Sequence, residues 1–470
     1  MNQQPKPTPV ISRLRRDLGT IESYAALIGI LIGAGIFKVT GDAWKLTGPS
    51  VIAGYAVLMP AILATSIPYA AYLSTHLGLE PGGEYLHISR TFGGFRIAYI
   101  GSWLKIISYV GAGAYLSDAL AGYLRALTGL GPQFHLPIAI AGLLFFYAVH
   151  VAGVRWFGRM QVAMSALKVL AILVLVVPGL FAIRTANYSP FVTNGFKGFA
   201  ASLLPIFFAY AGFESLAQTA GEVKDSTRRL PMILLKGITL TALIYVLMSV
   251  VSFGVLPGAR LQASNAPMAE VASVYLPAGA TAFIKFGAIM AIMSALNGTM
   301  LVPSRLALMF AKDRLAPQWV AAINPHTATP IRGLTLTLIA CVVLLVSGQL
   351  LLALNIAVFA LIILYFLHGI AFLLLPYLNP KLYSEIAIGI PRPLLFASAV
   401  LSVIAMGSMI AVQIIQDIEA LRTQSLYDRV MQKSLTSLEL AIVWAIFGAA
   451  LYGFSRWMQK RQAAAGAASS

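Results

Sequence analysis

A run of small residues interrupts the first long apolar segment of the chain. Gly33, Ala34 and Gly35 lie within residues 28–37, and each interior glycine costs a helix about 0.5–1 kcal/mol relative to alanine. At membrane depth, broken backbone is tolerated only where it is buried in protein or lines a cavity. The two half-helix ends at a break present free N–H groups, which attract an anion, and free carbonyls, which attract a cation. The run therefore predicts a binding site suited to an α-amino acid, which carries both charges.

A second interpretation of the same residues requires no ligand. Gly29 and Gly33 are four residues apart, and small residues at this spacing let two membrane helices pack closely. The spacing alone leaves both interpretations open.

A lysine within the fifth apolar segment is a candidate for proton coupling. Lys168 lies well inside residues 161–183, at a distance from Arg159. Burial disfavours the charged form of a lysine side chain, so a buried lysine gives up its proton readily. The alternative is that the long side chain extends to the membrane interface and keeps its charge in water.

The sixth apolar segment repeats the features of the first. Pro205, Gly212 and Glu214 place a helix breaker, a flexible residue and a carboxylate within residues 197–221. These residues predict a second interrupted helix. Two interrupted helices at corresponding positions of two five-helix halves are typical of an inverted repeat, whose interface holds the substrate.

The elements that position these residues are membrane helices. Of the 470 residues, 59% are hydrophobic and 10% are charged, and the mean hydropathy is +0.82. These values are typical of a polytopic membrane protein, and a helix of about 20 apolar residues crosses a bilayer. We predict an all-α fold with transmembrane helices near residues 20–41, 50–74, 95–124, 136–153, 161–183, 197–221, 233–256, 276–304, 333–349, 351–375, 393–416 and 438–457.

The basic excess of the chain indicates membrane topology and not nucleic-acid binding. The net charge is +17, and 21 of the 33 lysines and arginines fall in segments that are cytoplasmic when the N-terminus is inside, as the positive-inside rule requires. Both termini of this cell-membrane protein are therefore predicted to be cytoplasmic. The predicted divisions are an N-terminal segment (1–19), two five-helix repeats (20–183 and 197–375), two further transmembrane helices (393–457) and a cytoplasmic tail (458–470).

Other classes of function lack the residues that they require. The six histidines have no metal-ligand spacing and form no cluster within an apolar segment, so we predict no metal, no cofactor and no enzymatic activity. The sequence contains no repeated filter or charged ring of the kind that ion channels use. The single cysteine, Cys341, excludes an internal disulfide.

Four segments resemble motifs of the amino acid-polyamine-organocation superfamily of permeases. They occur at the expected helices and in the family's order, and together they span most of the chain. They are IGAGIF at 32–37, PGGEY at 81–85, FAYAGFE at 208–214 continuing to GEVKDSTRRLP at 221–231, and Arg305 with AKDRLAP at 311–317.

The resemblance implies the leucine-transporter fold, which has two inverted five-helix repeats plus two C-terminal helices (12 transmembrane helices) and works by alternating access. By position, the N–H groups of Gly33, Ala34 and Gly35 would bind the substrate carboxylate. Carbonyls near Ile28 and in the second break would accept its amino group, and Phe208 would act as a gate. The predicted substrate site comprises Ile28, Ile32, Gly33, Ala34, Gly35, Ser108, Phe208, Ala209, Ala211, Gly212 and Asn297.

The resemblance also implies the coupling residues. Lys168 matches a lysine that occupies the place of a sodium ion in sodium-independent members, and Ser294 lies near that place. Glu214 matches an acidic position implicated in proton sensing. Ser108 departs from the cationic amino acid carriers, which carry a glutamate there, and this departure disfavours a basic substrate.

We therefore predict a secondary active transporter of amino acids that is proton-coupled, sodium-independent and selective for neutral side chains. Alternatives within transport are an amine or γ-aminobutyrate carrier and an amino acid exchanger. From other classes, the alternatives are an ion channel and a membrane enzyme. The predicted partners are an amino acid, a proton and membrane lipid, and the chain is predicted to be a monomer or a weak homodimer.

Overall fold

The computed structural model describes residues 14–33, 35–264, 267–431 and 435–468, and all the regular secondary structure in these ranges is helical. The α-helices are α1 Thr20–Leu31, α2 Thr40–Thr47, α3 Val51–Leu73, α4 Glu84–Phe92, α5 Arg96–Thr128, α6 His135–Val151, α7 Val154–Gly179, α8 Gly195–Tyr210, α9 Ser215–Gln218, α10 Ser226–Val255, α11 Gly258–Ala263, α12 Pro267–Ser273, α13 Ala278–Lys312, α14 Ile331–Val346, α15 Leu350–Leu378, α16 Pro380–Ser384, α17 Arg392–Thr423, α18 Leu426–Met431 and α19 Ser437–Ala468.

Nine helical segments in the described part of the chain are long and apolar enough to cross a membrane. They contain α3, α6, α7, α8, α10, α13, α15, α17 and α19. Among the other predicted spans, α5 has 33 residues but carries four charged side chains, whereas α1 and α14 have only 12 and 16 residues. The prediction of an all-helical polytopic membrane protein is confirmed.

The first helix is interrupted where the small residues predict a break. α1 ends at Leu31, Ile32 and Gly33 are not helical, and a π-helical turn runs from Gly35 to Val39 before α2 begins. Ala34 lies outside the described residues. The chain here is buried, as irregular backbone at membrane depth must be.

The second predicted break is also present. α8 ends at Tyr210, and α9 begins at Ser215. Between them Gly212 has a φ of +106°, a left-handed conformation that residues with a Cβ rarely adopt. The Oε2 atom of Glu214 accepts a hydrogen bond from the Gly212 N–H at 3.1 Å, which satisfies a donor freed by the break.

The two breaks face each other in the helix bundle. A Cβ atom added to Gly35 would lie 2.7 Å from Cα of Ala209, so the two backbones are in direct contact. The hydroxyl group of Tyr245, on α10, lies 2.5 Å from the carbonyl oxygen of Leu31 and 2.7 Å from that of Ala209. One tyrosine therefore joins the carbonyl ends of α1 and α8, two groups that interrupted helices leave without intrahelical partners.

Candidate substrate and coupling site

A cavity lies between the two breaks, with α5, α13 and α15 completing its wall. None of its described lining residues is charged, and the few polar side chains come from α5 and α13. The lining consists of Ile30, Leu31, Gly33, Gly35, Ser108, Tyr109, Ala112, Leu116, Phe208, Ala211, Gly212, Ala295, Thr299, Ala357, Val358 and Leu361. An apolar cavity with a few convergent polar groups is the usual form of a small-molecule site.

Six residues of the predicted substrate site line this cavity, namely Gly33, Gly35, Ser108, Phe208, Ala211 and Gly212. Four others that the structure describes do not line it, namely Ile28, Ile32, Ala209 and Asn297. Ala34 lies outside the described residues.

Each of those four residues has a polar group that binds another part of the protein, although Oδ1 of Asn297 has no hydrogen-bond partner among the described residues. Lys168 binds the carbonyl oxygens of Ile28 and Ile32, and Tyr245 binds that of Ala209. The side-chain amide of Asn297 donates to Oε1 of Gln161 at 2.7 Å. The sequence predicts Asn297 in the cavity wall. In the structure its side chain faces α7 instead, because this face of α13 packs on that helix.

Two lining groups already have partners within the protein. The N–H of Gly33 donates to the carbonyl oxygen of Leu31 at 2.9 Å. The hydroxyl of Ser108 donates to the carbonyl oxygen of Ala357 at 2.8 Å. A carboxylate that reached the first break would have to displace the hydrogen bond of Gly33.

Phe208 is placed where a side chain could cover the cavity. It lies on the last turn of α8, and its ring packs edge to face against Tyr115 of α5 with centroids 6.1 Å apart. The ring is only partly buried. Rotation of such a ring would change access to the cavity without disturbing a closely packed core.

Lys168 is fully buried and binds the end of the first half-helix. Its Nζ atom lies 2.9, 3.0 and 2.8 Å from the carbonyl oxygens of Ile28, Gly29 and Ile32, and 2.8 Å from Oγ of Ser294. The carbonyl end of a helix carries a partial negative charge, which suits an ammonium group. Lys168 thereby links α7 to α1 and α13, and the alternative that it extends to the membrane interface is wrong.

Glu214 belongs to a second buried cluster, which was not predicted from the sequence. The Tyr109 hydroxyl donates to Oε1 of Glu214 at 2.6 Å, and the Tyr365 hydroxyl donates to Oε2. The ammonium of Lys105 lies 3.6 Å from Oε1 of Glu214 and 2.9 Å from both carboxylate oxygens of Glu84. These side chains from α4, α5, α15 and the second break are fully or almost fully buried.

His87, which lies beside this cluster, does not add to its charge at neutral pH. Nδ1 of His87 lies 2.9 Å from Nε2 of His368, so the two rings share a hydrogen bond. Burial, and secondarily the charge of Lys105, lower the pKa of His87 to about 3. Lys105 is thus the cation that faces the two carboxylates of Glu84 and Glu214.

We expect Lys105→Met to destabilise the protein strongly, because it leaves two buried carboxylates without their cation. Removing one partner of a buried ion pair typically costs about 3–5 kcal/mol. The measurement is the thermal unfolding midpoint of purified protein, for which the double variant Lys105→Met/Glu84→Gln should recover much of the loss.

Lys312→Met is the matched control for this substitution. Lys312 pairs with Glu80 at 2.6 Å, but both side chains are partly exposed, and such pairs contribute about 0–1 kcal/mol. Equal losses of thermal stability in Lys105→Met and Lys312→Met would contradict the role given to the buried cluster.

The motif segments outside the cavity meet at one end of the bundle. Arg305 forms a buried ion pair with Glu222 at 2.7 Å, and the Tyr85 hydroxyl donates to Oδ2 of Asp313 at 2.7 Å. Leu18, just before α1, exchanges backbone hydrogen bonds with residues 222 and 224. These contacts attach the segment before the first interrupted helix to the loop after the second interrupted helix. The two interrupted helices are therefore connected at this end of the bundle.

The fold and the site define a helical membrane protein with a small-molecule cavity at its interrupted helices. The chain belongs to the amino acid permease family, because the family model described as amino acid permease matches residues 18–427. Members of this family are transporters, and the prediction of an amino acid-polyamine-organocation permease is confirmed.

Known proteins that are similar to this chain are named for substrates of several classes. The chain is 27% identical to a methylthioribose transporter of Bacillus subtilis over 69% of its own length and 73% of that protein. It is 30% identical to the chloroplastic cationic amino acid transporter 9 of Arabidopsis thaliana over 66% of its length and 58% of that protein. It is 25% identical to a branched-chain amino acid permease of Bacillus subtilis over 67% of its length and 71% of that protein.

Proposed function

We propose that this protein is a secondary active amino acid transporter that is coupled to protons and does not require sodium. The observation that carries the proposal is the buried ammonium of Lys168, held by three carbonyl oxygens of the first interrupted helix. A fixed cation at this position supplies within the protein the positive charge that a bound sodium ion would otherwise bring. The proposal places the substrate in the cavity between the two breaks.

The architecture that we propose is the leucine-transporter fold with two inverted five-helix repeats and two further helices. Its support is the pair of interrupted helices, α1 with α2 and α8 with α9, which fall in the first and sixth predicted transmembrane spans and contact each other. In this arrangement the substrate site stays fixed while the two halves move around it. The proposal includes cytoplasmic termini, a cell-membrane location and a monomer or weak homodimer.

Coupling is proposed to act through the protonation of Lys168. When charged, its Nζ atom binds carbonyl oxygens of α1 and Ser294 of α13 at the same time. The neutral amine of Lys168 has one hydrogen-bond donor fewer than the ammonium. It also has no charge that would attract the carbonyl end of α1. A change in charge at one residue can bias a two-state equilibrium only through contacts that differ between the states, and the proposal assigns this part to the contacts of Lys168 with α1.

Glu214 is proposed as a second group that responds to protons. Its carboxylate accepts hydrogen bonds from α5 and α15 through Tyr109 and Tyr365, and it also binds the backbone of the second break at Gly212. Protonation would turn one of its two oxygens into a hydrogen-bond donor and weaken the bonds that this oxygen accepts. The second break would thereby lose part of its attachment to the neighbouring helices.

We propose a neutral side chain for the substrate. The described cavity lining contains no acidic residue to pair with a lysine or arginine side chain and no basic residue to pair with an aspartate or glutamate side chain. The branched-chain amino acid permease among the relatives carries a name that agrees with this lining, and the methylthioribose transporter is named for an uncharged sugar derivative. The names of the cationic amino acid transporters among the relatives do not agree with this uncharged lining.

Proteoliposomes containing the purified protein test the proposal directly. We expect counterflow of a labelled neutral amino acid, such as leucine, that saturates with concentration, and accumulation under an imposed pH gradient without sodium. Strict dependence on sodium would overturn the coupling, and flux proportional to concentration without saturation would favour a channel. Counterflow without any pH-driven accumulation would favour an exchanger.

Ser108→Glu is expected to raise the affinity for arginine relative to leucine. Ser108 lines the cavity on α5, and a carboxylate there would pair with the distal charge of arginine through charge-assisted hydrogen bonds. The measurement is competition against labelled leucine in the counterflow assay. Ser108→Gln is the matched control, because it adds the same volume without the charge, and a preference that changes equally in both variants would contradict the electrostatic explanation.

A further inference from the structure

A large groove lies away from the cavity, between α14 and α19. Side chains of α5 and α13 form its floor, and the turn after α13 closes one end. Its volume is about 1280 Å³, above the roughly 300–1,000 Å³ of ordinary small-molecule pockets. Much of the described lining is apolar and aromatic, with Trp103, Phe310, Leu336, Trp444 and Phe454 as the larger members.

The groove opens toward the outside of the bundle. Leu336 of α14 and Phe454 of α19 are 45% and 59% exposed, and both helices belong to predicted membrane spans. α19 is held at the middle of the groove by Trp444, whose indole stacks on Trp103 with centroids 4.8 Å apart. At the closed end it is held by Ser455, which donates to the carbonyl oxygen of Leu315 at 3.0 Å. The medium that faces the groove is therefore the lipid bilayer.

The closed end of the groove is positively charged. Arg314 is the only charged residue in the described lining, and its side chain is exposed. Arg332 donates to the carbonyl oxygen of the lining residue Trp319, and Arg456 donates to Oε1 of the lining residue Gln459, both at 3.1 Å. These two arginines are exposed as well.

The acidic residue next to this end does not neutralise it. Asp313 accepts a hydrogen bond from Tyr85 at 2.7 Å and lies 3.9 Å from Arg90, so its carboxylate is already engaged with another part of the bundle. Three arginines thus stand at the closed end of an apolar groove whose described lining contains no carboxylate.

We propose that this groove binds one anionic glycerophospholipid of the surrounding bilayer, with its acyl chains on the aromatic floor and its phosphate group at Arg314, Arg332 and Arg456. Guanidinium groups bind phosphate oxygens in a bidentate geometry, and basic residues at helix ends attract anionic lipids. A second copy of this chain fits less well, because the net charge of +17 would bring further positive charge to a positive surface.

Tryptophan quenching by brominated lipids tests this site with the full-length protein. Three of the six tryptophans line the groove, namely Trp103, Trp319 and Trp444. The protein is placed in phosphatidylcholine nanodiscs that contain a small fraction of either phosphatidylglycerol or phosphatidylcholine brominated on the acyl chains. We expect the brominated phosphatidylglycerol to quench more strongly, since each nearby arginine should raise its affinity for the groove about fivefold.

Paired triple variants separate a specific site from general attraction to a basic protein. Arg314→Gln/Arg332→Gln/Arg456→Gln should remove the difference between the two brominated lipids. Arg155→Gln/Arg228→Gln/Lys381→Gln removes the same charge outside the groove and should keep the difference. The proposal is overturned if both lipids quench equally in the unmodified protein, as a second copy covering the groove would cause, or if the two triple variants behave alike.

Discussion

Lys168→Ala is expected to reduce pH-driven amino acid accumulation to the level of protein-free liposomes. The substitution removes the ammonium that binds the carbonyl oxygens of Ile28 and Gly29 in α1, that of Ile32 at the first break, and the hydroxyl of Ser294. Without it, no titratable group among the described residues hydrogen-bonds α7 to the first break, so proton binding can no longer favour one arrangement of that helix. Accumulation is measured as uptake of labelled leucine under an imposed pH gradient, with and without sodium.

Substrate binding should survive this substitution at least in part, because Lys168 contacts the scaffold of the cavity and is not among its lining residues. Lys168→Arg should not restore accumulation, since a guanidinium group does not lose its proton in the accessible pH range. Lys285→Ala is the matched control, because Lys285 is an exposed lysine on α13. Undiminished pH-driven accumulation in Lys168→Ala would remove this residue from the mechanism.

Gly35→Val should lower the affinity for the transported amino acid by about ten- to a hundredfold. A Cβ at this position would lie 2.7 Å from Cα and 2.9 Å from Cβ of Ala209, and backbone atoms cannot move aside as a flexible side chain can. Overpacking of this kind costs about 1–3 kcal/mol, and relief of the strain would separate the two breaks that form the cavity. Binding is measured by the shift in thermal unfolding caused by saturating leucine, which stabilises only a protein that binds it.

The control for this prediction is Gly279→Val. Gly279 lies on α13, and a Cβ there would meet no atom within 4 Å. Both variants should insert into the membrane at the level of the unmodified protein, so that a loss in Gly35→Val reports on the site and not on biogenesis. A ligand-induced shift in Gly35→Val equal to that of the unmodified protein would show that the first break does not bind the substrate.

The amino-acid sequence by itself determined the class of protein and the positions of both interruptions. These properties are local, because apolar length fixes membrane insertion, and Gly33, Gly35 and Gly212 weaken helices wherever they occur. The buried position of Lys168 could also be predicted from the sequence, because its distance from the ends of a long apolar segment is a property of the sequence. The structure agrees with the sequence at each of these points.

The tertiary structure alone decided which polar groups meet. Lys105 binds Glu84 and Glu214, which lie 21 residues before it and 109 residues after it, and Tyr245 joins the ends of α1 and α8 although it belongs to neither. Asn297 faces Gln161 of α7 instead of the cavity. The direction of a side chain around its helix depends on how that helix is rotated against its neighbours, and in an apolar segment without a clear polar face the hydrophobic pattern does not fix this rotation. Packing among all the helices sets it, and the partners of a buried charge are known only once that packing is complete.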